Sequence, residues 1–206
     1  MLDLRAALKQ CPIAAILRGV KPDEIEAIGE VLVEAGITII EVPLNSPQPF
    51  DSIRRLAAHH GARALIGAGT VLEPSDVARV KEANGKLIVA PNFDADVVRA
   101  AKIAGLEALP GVMTPSEGFA ALKAGADALK LFPAEIIPPV VFKAWRAVFP
   151  ANTLLLAVGG VGVENIATYR DAGASGYGIG SALYKPGRPA AEIGPLARAL
   201  VAAAKA

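Results

Sequence analysis

Lys130 is the residue of this chain whose type and setting most clearly imply chemistry. It lies in Ala126-Asp-Ala-Leu-Lys-Leu-Phe-Pro133, a short apolar run of the kind that forms a buried strand. Lysine is almost never fully buried unless it is paired. Side chains alternate faces along a strand, so Ala128, Lys130 and Phe132 share one face and Leu129 and Leu131 the other. With both faces covered, the amine is desolvated, its pKa falls, and its neutral form attacks carbonyls. The expected chemistry at Lys130 is Schiff-base formation.

Glu41 is out of place in the same way. It lies in Ile37-Thr-Ile-Ile-Glu-Val-Pro43, on a face shared with Ile37 and Ile39. An ionised carboxylate there is costly unless paired. It reads either as a structural partner of Arg18 or as an acid/base group whose pKa is raised by burial. Arg18 ends the run 12–18 and reads either as a rim arginine paired with an acid or as a fork that grips a carboxylate. Thr70 follows Gly67-Ala-Gly69, as part of a tight turn or as a hydroxyl aimed at a substrate carboxylate. That stretch lacks the third glycine of a dinucleotide fingerprint. Gly159-Gly160 and Gly180-Ser181 end two further apolar runs. Glycine there lets the backbone approach an anion closely, and a following helix N-terminus adds aligned N–H groups. Pro91 and Phe132 end strands and are placed to wall a pocket.

The elements that must hold these groups alternate along the chain. Expected strands cover residues 12–18, 37–43, 64–67, 87–90, 106–109, 126–133, 154–158 and 176–179. Expected helices run from Pro22 to Gly36, Pro49 to His60, Pro74 to near Asn84, Asp94 to Gly105, Pro115 to Gly125, Pro139 to Val148, Glu164 to Gly173, and from Ala190 onward. Proline or acid opens most of them and glycine closes most. Strands alternating with helices imply a parallel sheet. Eight such units without a linker imply an α/β fold, a (β/α)8 TIM barrel forming one domain over 1–206. The count and the missing fingerprint argue against an open doubly wound sheet. In a barrel the active site lies at the C-terminal ends of the strands, with a phosphate site after strands seven and eight. Gly159, Gly160, Gly180 and Ser181 fall there.

The net charge of +1 gives no field suited to nucleic acid or an anionic membrane. Cys11, the single cysteine, cannot form an intrachain disulfide and fits a reducing compartment. The N-terminus, with Asp3, lacks a basic-then-apolar signal pattern, and every apolar stretch is too short for a membrane span. The expected location is the cytoplasm. His59 and His60 are adjacent, do not share a helix face, and are expected at an exposed helix end. No pair of ligands has metal-site spacing, so no metal is expected.

The set Ile16-Leu-Arg-Gly19, Glu41-Val-Pro-Leu-Asn-Ser-Pro47, Gly67-Ala-Gly-Thr-Val71, Leu129-Lys-Leu-Phe-Pro133, Ala157-Val-Gly-Gly-Val161 and Gly178-Ile-Gly-Ser181 resembles the class I 2-keto-3-deoxy-6-phosphogluconate aldolase family. The resemblance runs in order from about residue 12 to the end. It implies that Lys130 is the Schiff-base lysine, Glu41 the catalytic acid/base, Arg18 and Thr70 the carboxylate-binding pair, and Gly159, Gly160, Gly180 and Ser181 the phosphate cradle. It implies a homotrimer that needs no cofactor or metal. The implied partners are a phosphorylated keto-deoxy sugar acid, pyruvate and glyceraldehyde 3-phosphate. Val-Pro-Leu-Asn-Ser-Pro after Glu41, and Val158 where gluconate-series members tend to carry Thr, point to the galactonate series of substrates, with the gluconate series as the alternative. Val158 then joins the pocket wall. Ala90, where many members have Thr or Ser, removes a hydroxyl near the pyruvate pocket. No contact is expected from the apolar segment after Pro133. A non-catalytic phosphosugar-binding barrel is the alternative of another class; it would keep the glycine turns but has no need of both Lys130 and Glu41.

Overall fold

The computed structural model describes residues 2–206. Its parallel sheet contains β1 (Ile13–Ile16), β2 (Ile39–Pro43), β3 (Leu65–Gly69), β4 (Leu87–Val89), β5 (Glu107–Leu109), β6 (Gly111–Val112), β7 (Leu129–Leu131), β8 (Leu155–Val158) and β9 (Gly176–Ile179). The order is β5-β4-β3-β2-β1-β9-β8-β7-β6. The nine segments occupy eight barrel positions, because β5 and β6 are one strand interrupted at Pro110. Proline cannot donate to a ladder. Below it, β5 pairs with β4; above it, β6 pairs with β7. The ring is therefore bridged by one bent strand, and the eight-unit barrel expected from the sequence is borne out.

Strand alternation divides the apolar residues into two layers. Ala14, Ile39, Leu65, Leu87, Leu109 and Leu156 fill the barrel interior. Their neighbours Ile13, Ile40, Ile66, Ile88 and Leu155 face the helices instead. Lys130 follows this alternation: Ala128 and Phe132 belong to the interior set, while Leu129 and Leu131 belong to the outer one.

The helices are α1 (Leu4–Gln10), α2 (Ile25–Glu34), α3 (Pro49–His60), α4 (Pro74–Glu82), α5 (Ala95–Ala104), α6 (Pro115–Ala124), α7 (Pro139–Val148), α8 (Ile166–Asp171) and α9 (Ala190–Lys205). Proline sits in the first turn of α3, α4, α6 and α7, where its missing N–H costs nothing. Asp94 caps α5, and Thr114 with Glu117 forms a capping box on α6.

Four features depart from the sequence-based expectation. Helix α1 was not expected. Asp3 caps it through the Ala6 N–H at 2.7 Å, and Leu4, Ala7 and Leu8 join the interior cluster. Thr38, just before β2, donates to the Ala7 carbonyl at 3.0 Å, so α1 closes the N-terminal mouth of the barrel. Burial of its two leucines stabilises the fold by about 2 kcal/mol each. Second, α2 begins at Ile25 rather than Pro22: residues 22–24 form a turn, in which the Glu24 N–H donates to the Lys21 carbonyl at 3.2 Å, and the Glu24 side chain makes no cap but accepts from Tyr184. Third, Ile37 precedes β2 and packs in the outer layer, so only Ile39 shares the interior face with Glu41. Fourth, His60 is not at the surface: it is 2% exposed, packed beneath Gly29 on α2, with its Nδ1 near Arg63 and Glu30. Among the described residues, no helix is long and apolar enough to cross a membrane.

Candidate active site

Lys130 on β7 and Glu41 on β2 enter the barrel from opposite walls. They are 5% and 3% exposed. Register fixes both: Lys130 lies beside Gly111 and Leu156, and Glu41 beside Ile16 and Gly67. Burial pushes the Lys130 ammonium down from its ordinary pKa; the Glu41 charge opposes this and the Arg18 charge adds to it. Burial pushes the Glu41 carboxyl up to about 7, against the pull of Lys130 and Arg18. Both shifts favour the uncharged form, since removing a charge from water costs more here than the partner returns. Glu41 Oε2 is buried without a hydrogen-bond partner among the described residues. Such an atom in a packed interior is costly unless a ligand completes it. Lys130 Nζ stands 4.7 Å from the centroid of the Phe132 ring.

Glycine makes room for Glu41. A methyl group at Gly69 would lie 1.4 Å from Glu41 Oε2. Gly69→Ala is therefore expected to displace the carboxylate and cut turnover by about tenfold or more while circular dichroism stays native, since misplacement by an ångström costs about 10²-fold. Unaltered kcat in that variant would show that the seat of Glu41 is not fixed.

Arg18 and Thr70 come together at the rim. Arg18 Nη1 donates to Asn45 Oδ1 at 2.7 Å and to Thr70 Oγ1 at 3.3 Å. Thr70 has φ +56, a left-handed conformation that is rare for a β-branched residue. It stores roughly 1–3 kcal/mol of strain. Backbone bonds on either side hold it: Leu44 N–H to the Gly69 carbonyl at 2.8 Å and Val71 N–H to the Val89 carbonyl at 3.1 Å. Ser46 Oγ accepts from the Gly19 N–H at 2.9 Å and ties the two rim loops. Arg18 makes no ion pair with Glu41, so its reading as a structural partner of that acid is not what the hydrogen bonds describe. Asn45 and Ser46 enter the sequence reading only within Val-Pro-Leu-Asn-Ser-Pro, as a mark of the substrate series, with no contact assigned to either; the structure gives them these two.

A cleft of about 750 Å³ opens at the C-terminal ends of β1, β7, β8 and β9. Buried Lys130 and Val158 line it together with Phe132, exposed Arg18 and the two glycine turns, Gly159-Gly160 and Gly180-Ser181. Its size suits a small metabolite. Gly159 and Gly160 have φ +106 and +62, so both need glycine. Asn165 orders this turn by donating to the Gly160 carbonyl at 2.8 Å and accepting from the Gly162 N–H at 2.9 Å. Pro91 does not line the cleft; its carbonyl backs onto Gly111. Glu135, in the segment from which no contact was expected, does line it and packs against Gly159 and Gly160.

Glu41 and Thr70 are not among the residues that line the cleft. A parallel barrel with a desolvated amine at the base of an open cleft, and a proton-holding carboxyl buried in the same interior, is equipped to attack a carbonyl and to move the protons that this requires. Comparison with known proteins agrees. Residues 4–193 match the family model described as KDPG and KHG aldolase. A probable 2-dehydro-3-deoxy-6-phosphogalactonate aldolase of Rhizobium meliloti (strain 1021) is 46% identical over 93% of this chain and 91% of its own length. The 2-dehydro-3-deoxy-6-phosphogalactonate aldolase of Escherichia coli (strain K12) is 44% identical, over 93% and 94%. A solved structure described as native KDPGal superposes with a TM-score of 0.93 at 44% identity, covering 94% of each chain. The chain belongs to the KDPG and KHG aldolase family. It is a carbon–carbon lyase of the class I, metal-independent kind.

Proposed function

We propose that this enzyme cleaves 2-dehydro-3-deoxy-6-phosphogalactonate reversibly to pyruvate and glyceraldehyde 3-phosphate. The observation that carries the reading is the desolvated Lys130 amine sharing the barrel interior with a Glu41 carboxyl raised to about 7. The names of the two relatives support the choice of substrate.

The neutral Lys130 amine attacks the C2 ketone and forms a carbinolamine. Glu41 supplies the proton with which that hydroxyl leaves as water, giving an iminium. The resulting Glu41 carboxylate takes the C4 hydroxyl proton. The C3–C4 bond breaks, its electron pair passes into the iminium to give an enamine, and glyceraldehyde 3-phosphate departs. Glu41 returns the proton to C3, and water hydrolyses the new iminium to release pyruvate. The iminium is the electron sink, so the scheme uses no cofactor. A carboxyl near pH 7 is suited to giving and taking protons in one cycle. Arg18 and Thr70 hold the substrate carboxylate, and Gly159, Gly160, Gly180 and Ser181 hold the phosphate. Fixing both ends aligns the scissile bond.

Val158 lines the cleft directly before the glycine pair and offers no hydrogen bond to a sugar hydroxyl. This supports the galactonate over the gluconate configuration at C4. Comparison of kcat/KM for the two C4 epimers is the test: the galactonate epimer is expected to be cleaved faster, and a gluconate preference would overturn the substrate assignment. Val158→Thr is expected to move the ratio toward the gluconate epimer by up to about tenfold, the net worth of one neutral hydrogen bond.

The reading includes a homotrimer, supported by the family resemblance and by exposed apolar residues such as Leu72, Met113, Phe119, Ile136 and Val140. Light scattering should give three times the chain mass. The single, buried Cys11 supports a reducing, cytoplasmic setting.

A further inference from the structure

The proposed phosphate end of the cleft has a charge problem. Two carboxylates, Glu135 and Glu164, line it, and neither has a salt-bridge partner among the described residues. A phosphate dianion brought there needs a cation. Three cationic side chains line the cleft: Arg18, Lys130 and Lys185. Arg18 is bound to Asn45 and Thr70 at the carboxylate end. Lys130 lies at the base of the cleft, where burial favours its neutral form. Lys185 alone of the three belongs to the loop that continues from Gly180 and Ser181, it is exposed, and no acid pairs with it among the described residues.

Its backbone is anchored from several sides. The N–H groups of Leu183 and Tyr184 both donate to the Gly180 carbonyl at 2.9 Å. Arg188 returns to the same loop, with Nη1 on the Leu183 carbonyl at 2.8 Å and its N–H on the Lys185 carbonyl at 3.0 Å. The buried Tyr184 donates its hydroxyl to Glu24 Oε2 at 3.1 Å, fastening the loop to the start of α2. Pro186 packs so closely on Gly19 that a methyl group there would lie 2.7 Å from its Cγ. An anchored backbone with an unpaired ammonium at its apex is preorganised for an anion.

We propose that Lys185 is a phosphate-binding residue that sets the preference for phosphorylated over unphosphorylated substrate, and that Tyr184, through Glu24, is its positioning residue. This rests on the reading that the cleft takes a phosphorylated keto-deoxy acid. The test measures kcat and KM for 2-dehydro-3-deoxygalactonate with and without its 6-phosphate, in the wild type and in Lys185→Met, Lys185→Arg and Tyr184→Phe. The wild type is expected to favour the phosphorylated acid strongly. Lys185→Met is expected to lower the ratio of the two kcat/KM values about tenfold, the scale of one charge-assisted contact, chiefly through KM. Lys185→Arg should restore most of the ratio. Tyr184→Phe should lower it by a smaller factor, again in KM rather than kcat. A Lys185→Met enzyme that keeps the wild-type ratio, or loses both activities equally, overturns the inference and leaves the aldolase reading standing. A wild type indifferent to the phosphate overturns both.

Discussion

Glu41→Gln is expected to lower kcat by about 10²- to 10⁴-fold, the range for loss of a positioned acid/base. The amide keeps the shape and one hydrogen-bonding oxygen but cannot carry a proton between the carbinolamine, the C4 hydroxyl and the enamine carbon. KM for the phosphorylated acid should move little, because the carboxylate and phosphate ends are held by other residues. Wild-type turnover in this variant would remove Glu41 from the proton path.

The same substitution has an opposite effect on stability. The Glu41 carboxyl has a folded pKa of about 7 against an ordinary value of 4.5. Between those values the folded chain binds more protons at this site than the unfolded one, so stability from this group is complete below pH 4.5 and is lost as pH rises through about 7. The loss is on the order of 3 kcal/mol. Glutamine has no such loss. The melting temperature of Glu41→Gln relative to wild type should therefore be higher at pH 8 than at pH 4.5, and a difference independent of pH would contradict the buried-acid account.

Lys130→Met is expected to abolish turnover, by at least about 10⁴-fold, as removal of a covalent nucleophile does. Its stability effect runs the other way in pH. The folded ammonium has a pKa below its ordinary 10.5, so its contribution is complete above 10.5 and is lost as pH falls through the folded value. The methionine variant should gain most on wild type toward acid pH. Full activity in Lys130→Met would end the Schiff-base proposal.

Much of this was legible in the chain because the barrel writes its period plainly. Apolar runs of strand length, each followed by a proline- or acid-led helix, marked the eight units, and α3, α7 and β9 fall on the expected boundaries. Lys130 and Glu41 stood out because charge in such runs contradicts burial. What remained hidden depends on contacts remote in sequence. Helix α1 is short, and only the open mouth of the barrel explains its burial. His60 reads as polar and terminal until Gly29 is packed over it. The bend at Pro110 becomes visible only when β5 and β6 are found pairing in different directions. The Asn45 bond to Arg18 spans 27 residues and the Tyr184 bond to Glu24 spans 160, so neither has a local signature.

Reduction with borohydride in the presence of pyruvate, followed by peptide mapping, is the most direct measurement of whether Lys130 forms the Schiff base. Pyruvate condensed on the amine becomes a stable secondary amine on reduction, so one adduct is expected, on Lys130, and none in Lys130→Met. An adduct on another lysine, such as Lys185 at the cleft rim, or no adduct at all, would contradict the mechanism.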